Sequence, residues 1–325
     1  MDEIDVASEA PPAESFPCLI FDYGYDADDE PLTNIYSVAQ QKHYALTPDM
    51  KDNWIVPTPQ GWVLLVDPDS FAASLKNPIT DEAISLPPLT SDFPEKECLC
   101  LLSDKPTAAG AGCTVILMSE LDSMMWFCHI GGSEWTKHRY DIGNNNSDGG
   151  PCTAASIVAH KGKFYYSLCG RLGVLEFSPQ PVFTWLMPKF SLVFPNHDGA
   201  TTIGVGSLVE SSGELFLVYL FYFDMDLANT GEVHVFKMDF AEFEWKRVDS
   251  IGDSVFLLGT SNFGASCSAS NTGLMKGCIY CIRTYEFDDR LHIFNVETGR
   301  EEVQNILEGL PELYAYPVWV LPVDQ

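Results

Sequence analysis

The sequence predicts an all-β protein folded as a single β-propeller, and three observations lead to this prediction. The chain consists of short runs of Val, Ile, Leu, Phe and Tyr, separated by Gly, Pro, Asn, Asp and Ser, which is the pattern of strands and turns. Glycines precede several of these runs at a nearly constant spacing. No long stretch has helical periodicity, because Pro311 ends the one candidate helix near residues 303–310.

The strand-like runs are short and lie between turn residues. Each is rich in β-branched or aromatic side chains, which favour a pleated, half-buried backbone. The clearest runs are residues 62–66, 114–118, 164–168, 215–222, 233–238, 255–258 and 291–296.

The repeat becomes visible when the glycines that precede these strands are aligned. Gly61, Gly112, Gly162 and Gly213 are separated by 51, 50 and 51 residues, and Gly277 follows after 64, as if one loop were longer. Periods of about 40–50 residues with four short strands each are typical of propeller blades. Six blades fit the length best, and five or seven remain compatible with it. We expect the glycines to adopt positive φ in tight turns.

The charge excludes several classes of partner. With 18 Lys and Arg against 46 Asp and Glu, the formal net charge is −28. Such a chain repels nucleic acid backbones and anionic membrane surfaces, so neither is expected as a partner. The acidity either complements a basic surface on another protein or provides solubility.

The sequence indicates a cytoplasmic or nuclear protein with reduced thiols. No run reaches the 18 apolar residues of a membrane span, and the first 15 residues carry five acidic and no basic side chains, unlike a targeting peptide. Ten Cys in 325 residues are too few for a disulfide scaffold. Residues 1–15 are predicted to form a disordered acidic tail, and residues 16–325 to form the propeller.

An ordered set of motifs carries a family resemblance. They are Gly61-Trp62-Val63-Leu64, Asn77-Pro78-Ile79-Thr80, Leu86-Pro87-Pro88-Leu89, Gly162-Lys163-Phe164-Tyr165, residues 208–215 (Leu-Val-Glu-Ser-Ser-Gly-Glu-Leu), residues 235–239 with Trp245, residues 249–257, Cys278-Ile279-Tyr280 and Val318-Trp319. With these motifs the chain resembles the plant F-box-associated proteins of the KIB-type β-propeller family, which are kelch-like in architecture. The resemblance extends from about residue 16 to residue 323.

The resemblance implies a role in the ubiquitin pathway. Family members pair the propeller with an N-terminal F-box that docks on a Skp-type adaptor, and the propeller recruits the protein to be ubiquitinated. The first 15 residues lack the helical periodicity of an F-box, so direct binding to a Skp-type adaptor is not expected. The implied function is that of a protein-interaction module, not an enzyme.

Two polar loops are the candidate contacts for a partner protein, because recognition usually lies in loops on a rigid scaffold. The first contains Asp26, Asp28, Asp29 and Glu30. The second contains Asn144, Asn145, Asn146 and Asp148.

Other motif residues are assigned structural roles. The tryptophans are expected to pack between blades, since one aromatic side chain buries a large area. Trp54 and Trp126 lie outside the motifs and would be interaction anchors if they were exposed. The residues with predicted structural roles are Gly61, Gly162, Gly213, Gly252, Trp62, Trp135, Trp245 and Trp319.

Cofactor and metal sites are not predicted. Cys278 and Cys281 form a lone C-x-x-C whose side chains point to opposite faces of a strand, and Cys98 and Cys100 have no third ligand nearby. The acidic run from Asp26 lacks the Gly and Glu of an EF-hand loop. The alternative function is that of a calcium-dependent, lactonase-like propeller hydrolase, which stoichiometric calcium in the purified protein would favour.

Overall fold

The chain is nearly all β over the residues described by the computed structural model. These are residues 6–7, 10–25, 31–93, 98–106, 112–142, 156–168, 170–177, 180–193, 195, 201–223, 230–259, 263–282, 290–307, 311 and 313–322. They contain 26 strands, two four-residue α-helices and one 3-10 turn. The predicted fold class is therefore confirmed. The chain divides into two compact units, of which the first comprises residues 1–154, 161–163 and 311–325, and the second residues 155–160 and 164–310.

The first unit contains three sheets. The first sheet consists of β1 (Val6–Ala7), β2 (Cys18–Tyr25), β3 (Pro31–Ser37), β4 (Lys42–Tyr44) and the C-terminal β26 (Ala315–Val320). The second consists of β5 (Trp54–Pro57), β6 (Val63–Val66), β7 (Ala73–Lys76) and β8 (Ala83–Leu86). The third consists of β9 (Cys98–Leu102), β10 (Thr114–Ser119), β11 (Met124–His129) and β12 (Thr136–Arg139). The helix α1 (Pro48–Lys51) precedes β5.

The second unit also contains three sheets. The fourth sheet consists of β13 (Ser156–His160), β14 (Lys163–Leu168), β15 (Arg171–Phe177) and β16 (Pro181–Leu186). The fifth consists of β17 (Thr202–Ser211), β18 (Glu214–Phe223), β19 (Thr230–Asp239) and β20 (Glu244–Val248). The sixth consists of β21 (Ser254–Leu258), β22 (Gly264–Ser268), β23 (Cys278–Ile282), β24 (Arg290–Asn295) and β25 (Glu301–Asn305), with α2 (Ala269–Thr272) after β22.

Four of the six sheets formed by the described residues are built from four consecutive strands, which is the blade pattern predicted from the repeat. The first sheet differs because it joins both ends of the chain. Its order is β1-β4-β3-β2-β26, and β26 lies antiparallel to β2, with Cys18 opposite Val320 and Leu19 opposite Trp319. The count of six blades is confirmed.

The aligned glycines occupy equivalent positions in the sheets. Gly61, Gly112, Gly162 and Gly213 each precede the second strand of their sheet, and with Gly277 they have φ between +69° and +112°. In the Lys161-Gly162 and Ser212-Gly213 turns both residues have positive φ, as a type I′ hairpin requires. The expectation of positive φ is confirmed.

The longer spacing before Gly277 comes from an insertion in the sixth sheet. The strand β22 and the helix α2 lie between β21 and β23. As a result β21 and β23 pair in parallel, while β22 pairs antiparallel with the other edge of β21. The sequence predicted a longer loop here, and the insertion is a strand with a short helix.

Apolar side chains from neighbouring sheets form the core of each unit. In the first unit, Leu64 and Trp62 of the second sheet pack with Leu117 and Trp126 of the third. A second cluster joins the first and second sheets and includes Phe16. In the second unit, one cluster lies between the fourth and fifth sheets. Another lies between the fifth and sixth sheets.

Within the segment predicted as a disordered tail, two parts have regular structure. Val6 lies opposite His43 in a parallel pairing of β1 with β4. Residues Ala13–Ser15 form a 3-10 turn in which Ser15 is buried. The domain boundary at residue 16 stays a prediction.

Candidate interaction surface

Both loops that the sequence selected as contacts lie outside the described residues. Asp26, Asp28, Asp29 and Glu30 fall between β2 and β3, and Asn144, Asn145, Asn146 and Asp148 fall between β12 and β13. Their role in binding stays a prediction. The strands beside the first of these loops, however, are described.

Four large side chains are exposed at one end of the first sheet. Tyr25, Tyr314 and Tyr316 have exposed fractions of 62%, 63% and 51%, and Leu32 has 42%. The antiparallel pairing of β2 with β3 places Tyr25 opposite Pro31, next to Leu32. The pairing of β2 with β26 places Asp22 opposite Ala315, between Tyr314 and Tyr316. We call Tyr25, Leu32, Tyr314 and Tyr316 the tyrosine surface.

The backbone at this end of β2 is irregular. The strand register shifts between Ile20 and Asp22 against β26, and between Asp22 and Tyr25 against β3. Such bulges change the direction of side chains and often lie near functional sites. The Asp22 carboxylate accepts a hydrogen bond from the Gly24 N–H at 2.9 Å, and the Asp22 carbonyl accepts one from the Tyr314 N–H at 2.8 Å. The first bond stabilises the irregular end of β2, and the second joins it to the segment that leads into β26.

Gly24 allows Tyr314 to lie close to the backbone of β2. Gly24 has φ of +85°, which glycine adopts readily. A Cβ atom at this position would lie 3.5 Å from Cβ and Cγ of Tyr314, so the tyrosine packs directly over the glycine. The position of Tyr314 is thus defined by contacts on one side, while more than half of its surface stays exposed.

A cluster of aromatic rings supports the same sheet from within. The Phe21 ring lies 5.9 Å from that of Tyr36 and 6.0 Å from that of His43, and Tyr36 and His43 are 4.8 Å apart. The Asn34 amide donates a hydrogen bond to the Tyr23 hydroxyl at 3.3 Å. Burial raises the pKa of Tyr23 to about 12, against the opposing effect of this hydrogen bond. The tyrosine surface therefore rests on a packed sheet.

His43 gives this sheet a measurable dependence on pH. Burial lowers the pKa of His43 below its ordinary value of 6.5, so the unfolded chain binds a proton more readily than the folded one. The stabilisation is complete above pH 6.5 and is lost as the pH falls through the lowered pKa. We expect His43→Phe, which keeps an aromatic ring, to reduce the loss of stability between pH 7.5 and pH 5.5. Urea unfolding at the two pH values measures this, and an unchanged pH dependence would contradict it.

The charge of the first unit is strongly negative. Its sequence contains 27 Asp and Glu against 9 Lys and Arg, a formal net charge of −18, whereas the second unit contains 19 against 9, or −10. The described hairpins between the second and third strands of its sheets are acidic as well, with Asp67 and Asp69 after β6 and Glu120 and Asp122 after β10. The tyrosine surface thus belongs to the more acidic unit.

The predicted structural tryptophans are mostly buried. Trp62, Trp245 and Trp319 have exposed fractions of 5% or less. Trp135 is half-buried against the core of the first unit, and its indole N–H donates to the Pro87 carbonyl at 2.7 Å. Gly252 has φ of +65°, in a turn before β21. Three of these tryptophans are thus core residues, and the structural roles assigned to the whole set stay predictions.

The two other tryptophans are not surface anchors. Trp126 is 3% exposed in the core of the first unit, and Trp54 is half-buried with its ring 6.1 Å from that of Phe93. Because neither side chain is exposed, neither is an interaction anchor on the conditional prediction made from the sequence. Among the described residues, the aromatic side chains that are more than half exposed are the tyrosines Tyr25, Tyr314 and Tyr316. The sequence did not select them, because local sequence does not show which end of a strand remains uncovered.

The cysteines behave as core residues. Cys278 and Cys281 are buried in β23, and Cys100 is buried in β9. Desolvation raises the pKa of the Cys128 thiol to about 12. Among the described residues, no group of three or more His, Cys, Asp or Glu side chains has an arrangement that could hold a metal ion.

A polar cleft of about 450 Å³ lies on the second sheet, and its lining includes Asp49, Asp67, Lys76 and Asp81. Lys76 is nearly buried and forms ion pairs with Asp49 and with Asp81, the latter at 2.6 Å. Asn77, in the next position, accepts hydrogen bonds from the N–H groups of Ile79 and Thr80. The charge of Lys76 in the cleft is thus balanced by internal ion pairs beside a structured turn.

Comparisons with known proteins identify the family. No curated protein matches the chain significantly. Among solved structures, apo AztD from Citrobacter koseri aligns with 10% identity over 94% of this chain and 99% of its own, with a TM-score of 0.38. The extracellular domain of BT4673 from B. thetaiotaomicron aligns with 13% identity over 91% and 34% of the two chains, with a TM-score of 0.38. These scores are too low to carry an inference about function.

A model of a protein family covers most of the chain. The KIB1-4 β-propeller family matches residues 35–304, a range that contains all the motifs from Gly61 to Cys278-Ile279-Tyr280. No helix among the described residues is long and apolar enough to cross a membrane. The six sheets and this match lead to one conclusion: the chain belongs to the KIB1-4 β-propeller family.

Proposed function

We propose that the protein is a non-enzymatic interaction module of the cytoplasm or nucleus that binds another protein through the tyrosine surface. The observation that carries this proposal is the gathering of Tyr25, Tyr314 and Tyr316, each more than half exposed, at one end of one sheet. Tyrosine is enriched in the residues that dominate binding energy at protein interfaces. Its ring adds contact area and its hydroxyl can form a hydrogen bond at the rim.

The rigidity of the first sheet supports this role. The strands β2 and β26 pair in this sheet, and the hydrogen bond from the Tyr314 N–H to the Asp22 carbonyl joins their ends. Side chains held on a rigid scaffold lose less conformational entropy on binding than side chains on a flexible segment. The acidic residues 26–30 connect β2 to β3 in the sequence and would extend the contact.

Family membership suggests a fate for the bound partner protein. The role resembles that of the substrate-binding propeller of plant F-box proteins, so the module would present a bound protein to the ubiquitin pathway. Nucleic acid and membrane are not proposed as ligands, since the net charge of −28 opposes both. A direct contact with a Skp-type adaptor is not part of the proposal.

The tyrosine surface can be tested by substitution. We expect the triple variant Tyr25→Ser, Tyr314→Ser, Tyr316→Ser to reduce recovery of bound partners from plant extract at least about tenfold, because each exposed anchor contributes roughly 1–2 kcal/mol to binding. Quantitative mass spectrometry of the pull-down measures the recovery. Thermal unfolding of each purified variant verifies that the fold is kept.

A control with the same number of substitutions is available in the second unit. Val182, Met187 and Val193 are exposed by 51%, 76% and 76%, so their replacement by Ser removes as many exposed apolar side chains without touching the tyrosine surface. We expect this variant to recover the same partners as the wild type. Equal recovery by the tyrosine variant would overturn the proposal.

A further inference from the structure

We propose that the tyrosine surface binds an extended segment rich in arginine and lysine, whose cationic groups lie over the tyrosine rings. This inference rests on the proposed function and adds the chemical class of the bound segment. A cation over an aromatic face within about 6 Å is attracted by the ring quadrupole. Arginine is favoured because its planar guanidinium stacks on rings and is less strongly hydrated than an ammonium group.

Charge complementarity selects a basic partner. The tyrosine surface lies in the unit with 27 acidic and 9 basic residues. Between Tyr25 and Pro31, the two residues that pair across the hairpin, the sequence reads Asp-Ala-Asp-Asp-Glu. By contrast, the turn between β3 and β4 at residues 38–41 contains no charged side chain. A basic segment is therefore attracted to the end of the sheet at which the tyrosines lie.

The kind of side chain distinguishes this surface from an ordinary apolar contact. Three of its four large members are tyrosines, which combine a flat aromatic face with a polar hydroxyl. An aliphatic surface would favour an apolar partner, whereas aromatic faces in a negative field favour cations. The first unit already uses this interaction, since the Lys42 ammonium lies 5.1 Å from the centre of the Tyr44 ring and that of Lys137 lies 5.0 Å from the Trp126 ring.

The spacing of the tyrosines favours an extended segment. Tyr314 directly precedes β26 and Tyr316 is its second residue, so the two rings are two residues apart at the start of the strand. Tyr25 ends β2, which pairs with β26. An extended chain also projects alternate side chains to one side, so alternating arginines can meet successive rings.

The probe for this inference is a synthetic ten-residue peptide of alternating Arg and Ser that carries a fluorescent label. Its matched control contains citrulline, an uncharged isostere, in place of Arg. Binding to the full chain is followed by fluorescence anisotropy at physiological salt. We expect the citrulline peptide to bind at least about tenfold more weakly, because it loses both the long-range attraction and the cation over the ring.

Substitutions that leave the net charge unchanged separate the contribution of the tyrosine rings to peptide binding from the contribution of the general acidity. We expect Tyr25→Leu with Tyr316→Leu to weaken binding of the Arg peptide about five- to thirtyfold, while Tyr25→Phe with Tyr316→Phe keeps the affinity. Leu121→Ser is the control in the same unit, because Leu121 is 74% exposed beside two carboxylates, and it should bind like the wild type. All variants keep the net charge of −28.

The outcomes distinguish this inference from the proposed function. If the leucine variant binds the Arg peptide as tightly as the wild type, or if the two peptides bind equally, the basic ligand class is overturned. When the triple serine variant nevertheless loses its partners in the pull-down, the proposed function stands and a different ligand class is required. If the pull-down is unchanged as well, both are overturned.

Discussion

Replacing Trp245 by Ala is expected to lower the free energy of unfolding by about 3–5 kcal/mol. Trp245 is 5% exposed in the core of the second unit, where it lies opposite Met238 and 6.3 Å from the Phe190 ring. Its backbone N–H donates to the Lys189 carbonyl at 2.9 Å. The substitution leaves a cavity that this sheet pairing prevents from closing.

The effect can be measured by urea unfolding and compared with Trp185→Ala. Trp185 is half-buried on the edge strand β16, with the Arg171 guanidinium 4.1 Å from the centre of its ring. Less apolar surface is lost at this position, so we expect a cost of about 1–2 kcal/mol. Equal costs for the two substitutions would show that Trp245 does not have the core role assigned to it.

Replacing Gly264 by Ala is expected to destabilise the protein by about 1–3 kcal/mol through steric overlap. A Cβ atom at residue 264 would lie 2.0 Å from the carbonyl oxygen of Leu208 and 3.2 Å from Cγ2 of Val209. Both neighbours belong to β17, so the first contact is with backbone that cannot rotate away. The inserted strand β22 would have to move relative to β17.

A substitution in the same strand that adds no atoms serves as the control. The Ser266 hydroxyl donates to the Glu210 carbonyl at 2.8 Å, and Ser266→Ala removes this bond. We expect a cost of about 0.5–1.5 kcal/mol. Thermal and urea unfolding give both values, and a Gly264→Ala protein as stable as the wild type would contradict the close approach of the two strands.

Local sequence patterns predicted the repeated part of the fold. The glycine spacing of 50–51 residues predicted the second strand of four sheets, because a two-residue hairpin such as Ser212-Gly213 needs positive φ. Two features depend on pairing between distant segments. These are the addition of β26 to β2 and the parallel pairing of β21 with β23, which β22 and α2 separate in the chain. Local periodicity carries no information on which distant strands will pair.

The candidate site was predictable only in part. The acidic side chains of residues 26–30 predicted a contact in the connection between β2 and β3, beside the tyrosine surface. Tyr314 and Tyr316 have the same pattern as core strand residues, since both occur in the apolar run of residues 313–321. They lie beside the register shifts around Asp22 and at the start of the C-terminal strand β26, and only the three-dimensional structure brings these segments together.

Photo-crosslinking from the tyrosine surface tests the central claim most directly. Tyr316 is replaced by p-benzoylphenylalanine in the full chain, with Leu121 and Val182 replaced separately as controls at exposed positions in the first and second units. After irradiation in plant extract, the adducts are identified by mass spectrometry. We predict one discrete protein adduct from position 316, attached through a segment rich in Arg and Lys, and none of it from the control positions. The same adduct from Val182 with none from Tyr316 would contradict the assignment of the interaction to this surface.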